Sequence, residues 1–194
     1  MYSLLLDSSY KDLVVGLGKD NQLVNETAYE CFQKQSEYMI PEIKNILNKN
    51  KIDPKEINEI HVTLGPGSYT GVRIALTIAK VYAYALNIPC YAYSSLKVLQ
   101  NYDKPSICLL NARSKRSYIG VYNKNEVIMA DCVMSNDEVL NYIEEHKDYA
   151  ICGDTEYLDI EGFKASISTN MLKLKNEDDK VKNIMTLKAV YLKD

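Results

Sequence analysis

The first group of residues with the types and spacing to do chemistry is Gly65-Pro66-Gly67-Ser68-Tyr69-Thr70-Gly71. Gly65, Gly67 and Gly71 bracket a strand-to-helix turn, where glycine permits a positive φ and close backbone approach. Free N–H groups at the start of the following helix can hold an anion. No Lys-Ser or Lys-Thr pair follows the last glycine and the spacing is not G-x-G-x-x-G, so neither nucleotide fingerprint is met. A plain tight turn is the other reading. The second group is Asp7, at the end of the apolar run Leu4-Leu5-Leu6, with Asn111 at the equivalent point of a later run. A phosphotransferase that holds Mg²⁺ between two lobes needs a carboxylate at both places. Asn111 is neutral, and Asp7 can equally be a strand-end residue accepting nearby backbone N–H groups.

Nucleophilic and metal chemistry have less to work with. Ser68, Ser94 and Ser95 have no histidine base close in sequence, which leaves only the fold to bring His61 near them. His61 and His146 are the only histidines, and neither has a second histidine or a cysteine at ligand spacing, so no zinc site is expected. The five cysteines are odd in number, form no C-x-x-C pair and lie mostly in apolar runs. They read as reduced, small hydrophobes of a cytoplasmic protein. One basic cluster stands out, Arg113-Ser114-Lys115-Arg116, either a nucleic-acid contact or a solvated turn between two strands. Net charge is −3, so bulk electrostatics do not advertise nucleic-acid binding, and any RNA contact must be local or made by a partner.

These residues need elements to position them. Residues 2–7, 11–18 and 22–29 read as three strands in an antiparallel meander, with Lys19-Asp20-Asn21 as a hairpin signal. The opening run stops at Asp7 without a basic flank, so it reads as a strand and not a signal peptide. A helix follows over 36–49, where Pro41 marks a kink or the true first turn. Then come a strand at 58–64, the glycine loop, a helix over 70–86 ended by Asn87, and a strand at 88–93. Ser94-Ser95 cap a short helix to about Asn101. A boundary near Asp103-Lys104-Pro105 divides lobes 1–103 and 104–194. Strands at 106–111, 117–122 and 126–133, a helix over 136–145 and a strand at 149–152 make the second lobe a shortened copy of the first. Residues 170–185 are polar and lysine-rich without a clear pattern, and 188–192 can form a last strand. No apolar stretch is long enough to span a membrane without a charge. This order of elements fits an α/β, ribonuclease-H-like or actin-like unit with mixed sheets.

The 70–86 helix carries a further signal. At 100° per residue Arg73, Thr77, Lys80 and Tyr84 share one narrow stripe, and nearly everything else is apolar. Ile74, Ile78 and Val81 suit a sheet, while Ala75, Ala79 and Ala83 form a ladder that admits a second helix. That helix is either the 36–49 helix of the same chain or a partner subunit.

Residues 64–95, LGPGSYTGVRIALTIAKVYAYALNIPCYAYSS, resemble the signature segment of the TsaB (YeaZ) family. LLLDSS at the start, QSEYMIPEI at 35–43, NARSKRSYIGVY at 111–122 and the closing VYL follow in order. The resemblance implies a two-lobed actin-like fold and a non-catalytic subunit in the synthesis of N6-threonylcarbamoyladenosine. That nucleoside lies next to the anticodon of tRNAs reading codons that begin with adenine. It implies pairing with a catalytic TsaD-like paralogue, a TsaE-like ATPase as third member, and homodimerisation when alone. The isolated chain would hold no cofactor, with ATP or ADP bound at the interface of the assembled complex. The partner surface would comprise Met39, Ile43 and Leu47 of the first helix with Val72, Ala75, Ala79, Ala83 and Leu86 of the second. Arg113, Lys115 and Arg116 would be the tRNA contact, reached through the complex. Gln35 stands where the family has histidine, Asn111 where it has aspartate, and the second lobe is short.

Overall fold

Leu4, Leu5 and Leu6 are wholly buried in β1 (Tyr2–Asp7), because β1 is the middle strand of a sheet covered on both faces. The computed structural model describes residues 1–31 and 33–192. Beside β1 run β2 (Asp12–Lys19) and then β3 (Gln22–Glu30), both antiparallel to their neighbour, turning at Asp20 and Asn21, which adopt positive φ. On its other side lie β4 (Ile57–Thr63) and β5 (Cys90–Tyr93), paired in parallel, giving the order β3-β2-β1-β4-β5. Parallel pairing demands crossovers, supplied by α1 (Gln35–Lys49) and α2 (Tyr69–Leu86). α1 starts six positions before Pro41 and runs through it. α2 is capped by the Ser68 hydroxyl, and it is stopped, as the sequence suggests, by Asn87, which takes the left-handed conformation.

Alternation along β1 separates two cores. Leu4 and Leu6 face α1 and α2, packing with Met39, Ile43, Ile46, Leu47, Ala75, Ala79 and Ala83. Each large aliphatic side chain buried there contributes roughly 2 kcal/mol. Leu5 faces the other way, onto α4 (Ile167–Leu174) through Met171, Leu172 and Leu174. Residues 167–192, which the division at 103/104 assigns to the second lobe, therefore lie against the first. The polar, lysine-rich stretch had hidden α4 because its buried positions include Ser168 and Asn170. Residues 188–192 form no strand; a single backbone bond, Val190 N–H to the Leu64 carbonyl (2.7 Å), ties them to the glycine loop.

The second sheet, β8-β7-β6-β9, is built from β6 (Ser106–Arg113), β7 (Arg116–Asn123), β8 (Glu126–Ser135) and β9 (Ala150–Gly153). Its order repeats β3-β2-β1-β4, and α3 (Asn136–Glu145), opened by a Ser135/Glu138 capping box, takes the place of α1. Counterparts of α2 and β5 are missing among the described residues, which is the shortening seen in the sequence. Ser94-Ser95 lead into a 3-10 turn over 97–99 and not an α-helix.

Candidate functional site: interlobe cleft, glycine loop and outer helical face

At the glycine loop the polypeptide is crowded by its own backbone. A Cβ on Gly67 would collide with the Ser9 carbonyl oxygen, one on Gly71 with that of Ser8, and one on Gly65, at φ +101°, with that of Val190. Three of the loop's backbone donors are already taken. Gly65 N–H goes to Ser95 Oγ (3.0 Å), Ser68 N–H to the Ser9 carbonyl (2.7 Å) and Gly71 N–H to Ser68 Oγ (3.2 Å). The three glycines thus allow the segment after β1, the loop and the C-terminal tail to touch. Of the two sequence readings, the geometry matches the tight turn.

Asp7 sits at the floor of a cleft of about 700 Å³ between the lobes. Its Oδ1 accepts from Ser9 N–H (3.2 Å) and from the Thr63 hydroxyl, and burial pushes its carboxyl above the ordinary aspartate range. Asp12, Glu30, Asp154, Glu156 and Glu161 also line the cleft, against Lys11 and Lys164 alone. Lys11 is already paired with Glu156 (2.9 Å) across the lobes. Tyr10 stands between, its hydroxyl pushed up by burial and by the hydrogen bond to Asp154. Asn111 is exposed at the end of β6, its amide oxygen accepting Arg113 N–H (2.8 Å). A nucleoside triphosphate in this cleft would meet six carboxylates and one unpaired lysine among its described lining, so the residues present do not fit it.

The paired serines link the lobes. Ser95 holds the glycine loop, while Ser94 Oγ donates to Asp131 of β8 (2.6 Å) and accepts from Leu96 and Lys97 N–H. Tyr122 bonds the same carboxylate, which burial raises. Among the described residues no hydrogen bond joins a serine to His61. That ring is buried on the α4 side, between Tyr93 OH on Nδ1 (2.9 Å) and Glu59 on Nε2 (3.0 Å). Glu59 also accepts from Ser3 Oγ (2.5 Å) and Lys175 Nζ (2.7 Å). Sequence reading passed over this network. Glu59, His61 and Thr63 alternate along β4, but only the partner strand Ser3 and the distant Lys175 make the polar face buried.

The helical surface needs a correction. Met39, Ile43, Leu47, Val72, Ala75, Ala79 and Ala83 are buried in the chain's own core, so none of the seven can touch a partner; Leu86 is half-buried. The alanine ladder accommodates the closeness of α2 to β4 and α1. Of the branched residues expected to face the sheet, Val81 turns outward at 60% exposed, and Ile74 and Ile78 are half-buried at the edge of the core. Both arcs are apolar, and hydropathy alone does not rank small against branched. The Arg113, Lys115 and Arg116 cluster is the β6–β7 hairpin turn, with Arg113, Ser114 and Lys115 all at positive φ.

The family model described as TsaD, tRNA N6-adenosine threonylcarbamoyltransferase, matches residues 29–180. A TsaB protein of Bacillus subtilis, "tRNA threonylcarbamoyladenosine biosynthesis protein TsaB", is 31% identical over 144 residues. That match covers 72% of this chain and 63% of the relative, so the chain spans less than two thirds of its length. The chain belongs to the TsaD family, on its TsaB (YeaZ) branch. A Mycoplasma genitalium protein, MG208, is 29% identical over 100% of this chain and 95% of its own. The structure of YeaZ from Pseudomonas aeruginosa superposes with a TM-score of 0.80 over 98% of this chain and 99% of that one, at 19% identity. At that identity the likeness concerns the fold, and it extends to the shortened second lobe. Among the described residues no group of three or more His, Cys, Asp or Glu could hold a metal ion, and no helix is long and apolar enough to cross a membrane.

Proposed function

We propose that this chain is a partner-binding subunit in the synthesis of N6-threonylcarbamoyladenosine next to the anticodon of tRNAs reading codons that begin with adenine. It contributes no chemistry of its own. It docks a TsaD-like catalytic paralogue, a TsaE-like ATPase joins the pair, and a second copy of the chain occupies the same face when the paralogue is absent. Any ATP or ADP sits at the joint interface, since the chain's own cleft is too acidic to take it. The observation that carries this reading is the outward apolar face of α1 and α2. Glu42 bonds Tyr29 of β3, so Ile40, about 160° round the helix, faces the α2 side. There Ile40, 51% exposed, and Val81, 60% exposed, flank the half-buried Ile74 and Ile78, giving a row of branched side chains at the edge of the core. Apolar patches of that kind mark association surfaces.

Val81→Glu tests the docking. The variant keeps its melting temperature and its affinity for the TsaD-like paralogue of the same organism falls at least about thirtyfold, because a desolvated charge has no partner there. Native affinity in co-purification would place the interface elsewhere. Mass spectrometry of digested tRNA after depletion of the protein tests the role: the modified nucleoside disappears, and normal levels would sink the assignment. The other reading is a nucleotide-dependent enzyme of the actin-like kinase class using Asp7. It requires ATP turnover by the isolated chain that is lost in Asp7→Asn.

A further inference from the structure

We propose that one flank of α2 and the C-terminal tail together form a strip that binds single-stranded or loop RNA, through Tyr69, Arg73, Lys80, Lys182, Lys188 and Tyr191. Two independent features converge on it. The first is charge. In a chain with 26 acidic and 23 basic residues, α2 and the segment 181–192 carry four cations, Arg73, Lys80, Lys182 and Lys188, and no carboxylate. The acidic run Glu177–Asp179 just before the tail packs against β5, and Glu177 is paired with Lys180 (3.4 Å). Excess acid elsewhere, above all in the interlobe cleft, leaves this strip as a separated positive surface.

The second feature is an open aromatic platform. Tyr69 and Tyr191 stack at 5.1 Å between centroids, the Arg73 guanidinium lies 3.9 Å over the Tyr69 ring, and Arg73 Nε donates to Tyr191 OH (2.8 Å). Tyr69 remains 58% and Tyr191 40% exposed, so neither ring is there to fill a core. Lys80 pins the tail alongside by donating to the Met185 and Leu187 carbonyls (both 3.1 Å). Lys182 and Lys188 project from the tail, exposed. Stacking faces beside ammonium and guanidinium groups are the chemistry that grips unpaired bases and their phosphates. The strip lies on the flank of α2 turned to the tail. Ile74, Ile78 and Val81 fall roughly 80–140° round the helix, so RNA and a protein partner need not compete. Choosing RNA over an acidic protein rests on the tRNA-modification reading above.

The test uses the full chain and two fluorescein-labelled probes, a tRNA transcript and a uridine 12-mer, titrated at several salt concentrations. The unaltered chain binds both, with affinity falling steeply as salt rises. Lys182→Gln with Lys188→Gln weakens both uniformly and lowers the log–log salt slope by about 1.4. Tyr69→Leu costs at least about fivefold with the slope unchanged, because it removes stacking and no charge. Arg113→Gln with Lys115→Gln leaves both probes bound as before. Circular dichroism and melting temperature keep the comparison to folded variants. Overturning results are strip variants that bind as the unaltered chain does, binding that depends on the 113–115 turn, or a strip whose loss releases only the protein paralogue. A chain required for the nucleoside whose strip variants bind RNA normally would sink the strip and leave the function. RNA binding through the strip by a chain dispensable for the nucleoside would do the reverse.

Discussion

Glu59 shows what one residue's surroundings can do. Burial alone would raise its carboxyl, but hydrogen bonds from His61, Lys175 and Ser3 outweigh it and hold the group at about 2, below the ordinary 4.5. Its stabilising contribution is therefore complete above pH 4.5 and is lost as pH falls towards 2, on the order of 3 kcal/mol in all. Burial lowers His61, so its contribution is complete above 6.5 and is likewise lost on acidification. Asp7 works in the opposite sense, its raised carboxyl favouring the fold at low pH. We expect urea midpoints to fall as pH drops from about 6 to about 3, and Glu59→Gln to flatten the lower part of that fall. Parallel curves for the two proteins would show that Glu59 does not carry the acid sensitivity. The neutral His61 that this arrangement implies donates from Nε2 to Glu59 and accepts at Nδ1 from Tyr93. That tautomer leaves it no capacity to serve as a base elsewhere.

At the scale of the element, α2 has one face that must be small and one that need not be. Ala79 is fully buried between α2, β4 and α1. Ala79→Glu should therefore lower the stability of the isolated chain by about 3–5 kcal/mol, since the charge is buried without a partner. This contrasts with Val81→Glu, two positions on, which leaves the fold intact. Equal melting temperatures for the two variants would contradict the assignment of faces. The turn that starts α2 is as tightly specified. Gly71→Ala drives a methyl into the Ser8 carbonyl, and overpacking of that kind costs about 1–3 kcal/mol. Chemical denaturation reads both.

At the scale of the whole molecule, charge is distributed unevenly: carboxylates gather in the cleft and cations along α2 and the tail, although the net charge is only −3. Because the carboxylates of the cleft repel phosphates, we expect about 1 mM MgATP to shift the melting temperature of the isolated chain by less than about one degree. A rise of several degrees would show that the cleft accepts nucleotide after all. The lobes are joined by Lys11 to Glu156 and by Ser94 to Asp131, and the C-terminal tail returns across the first lobe to close the glycine loop.

The order of strands and helices, the repeat that makes the second lobe, the stop at Asn87 and the glycine turn were all legible in the sequence. Each is set by local stereochemistry or by periodicity, and neighbouring residues suffice to read them. The family was legible too, because the 64–95 segment combines several such constraints in one register. Three matters were decided only by tertiary structure. Which apolar arc of α2 faces inward depends on how closely α1 and β4 approach, and that distance is not written in hydropathy. The Glu59–His61–Lys175 network joins β4 to a residue 116 positions away. The tail, unpatterned by itself, finds its place because α2 offers an arginine and a lysine to its tyrosine and carbonyls. Side chains settle such questions only when distant segments are brought within a few ångströms.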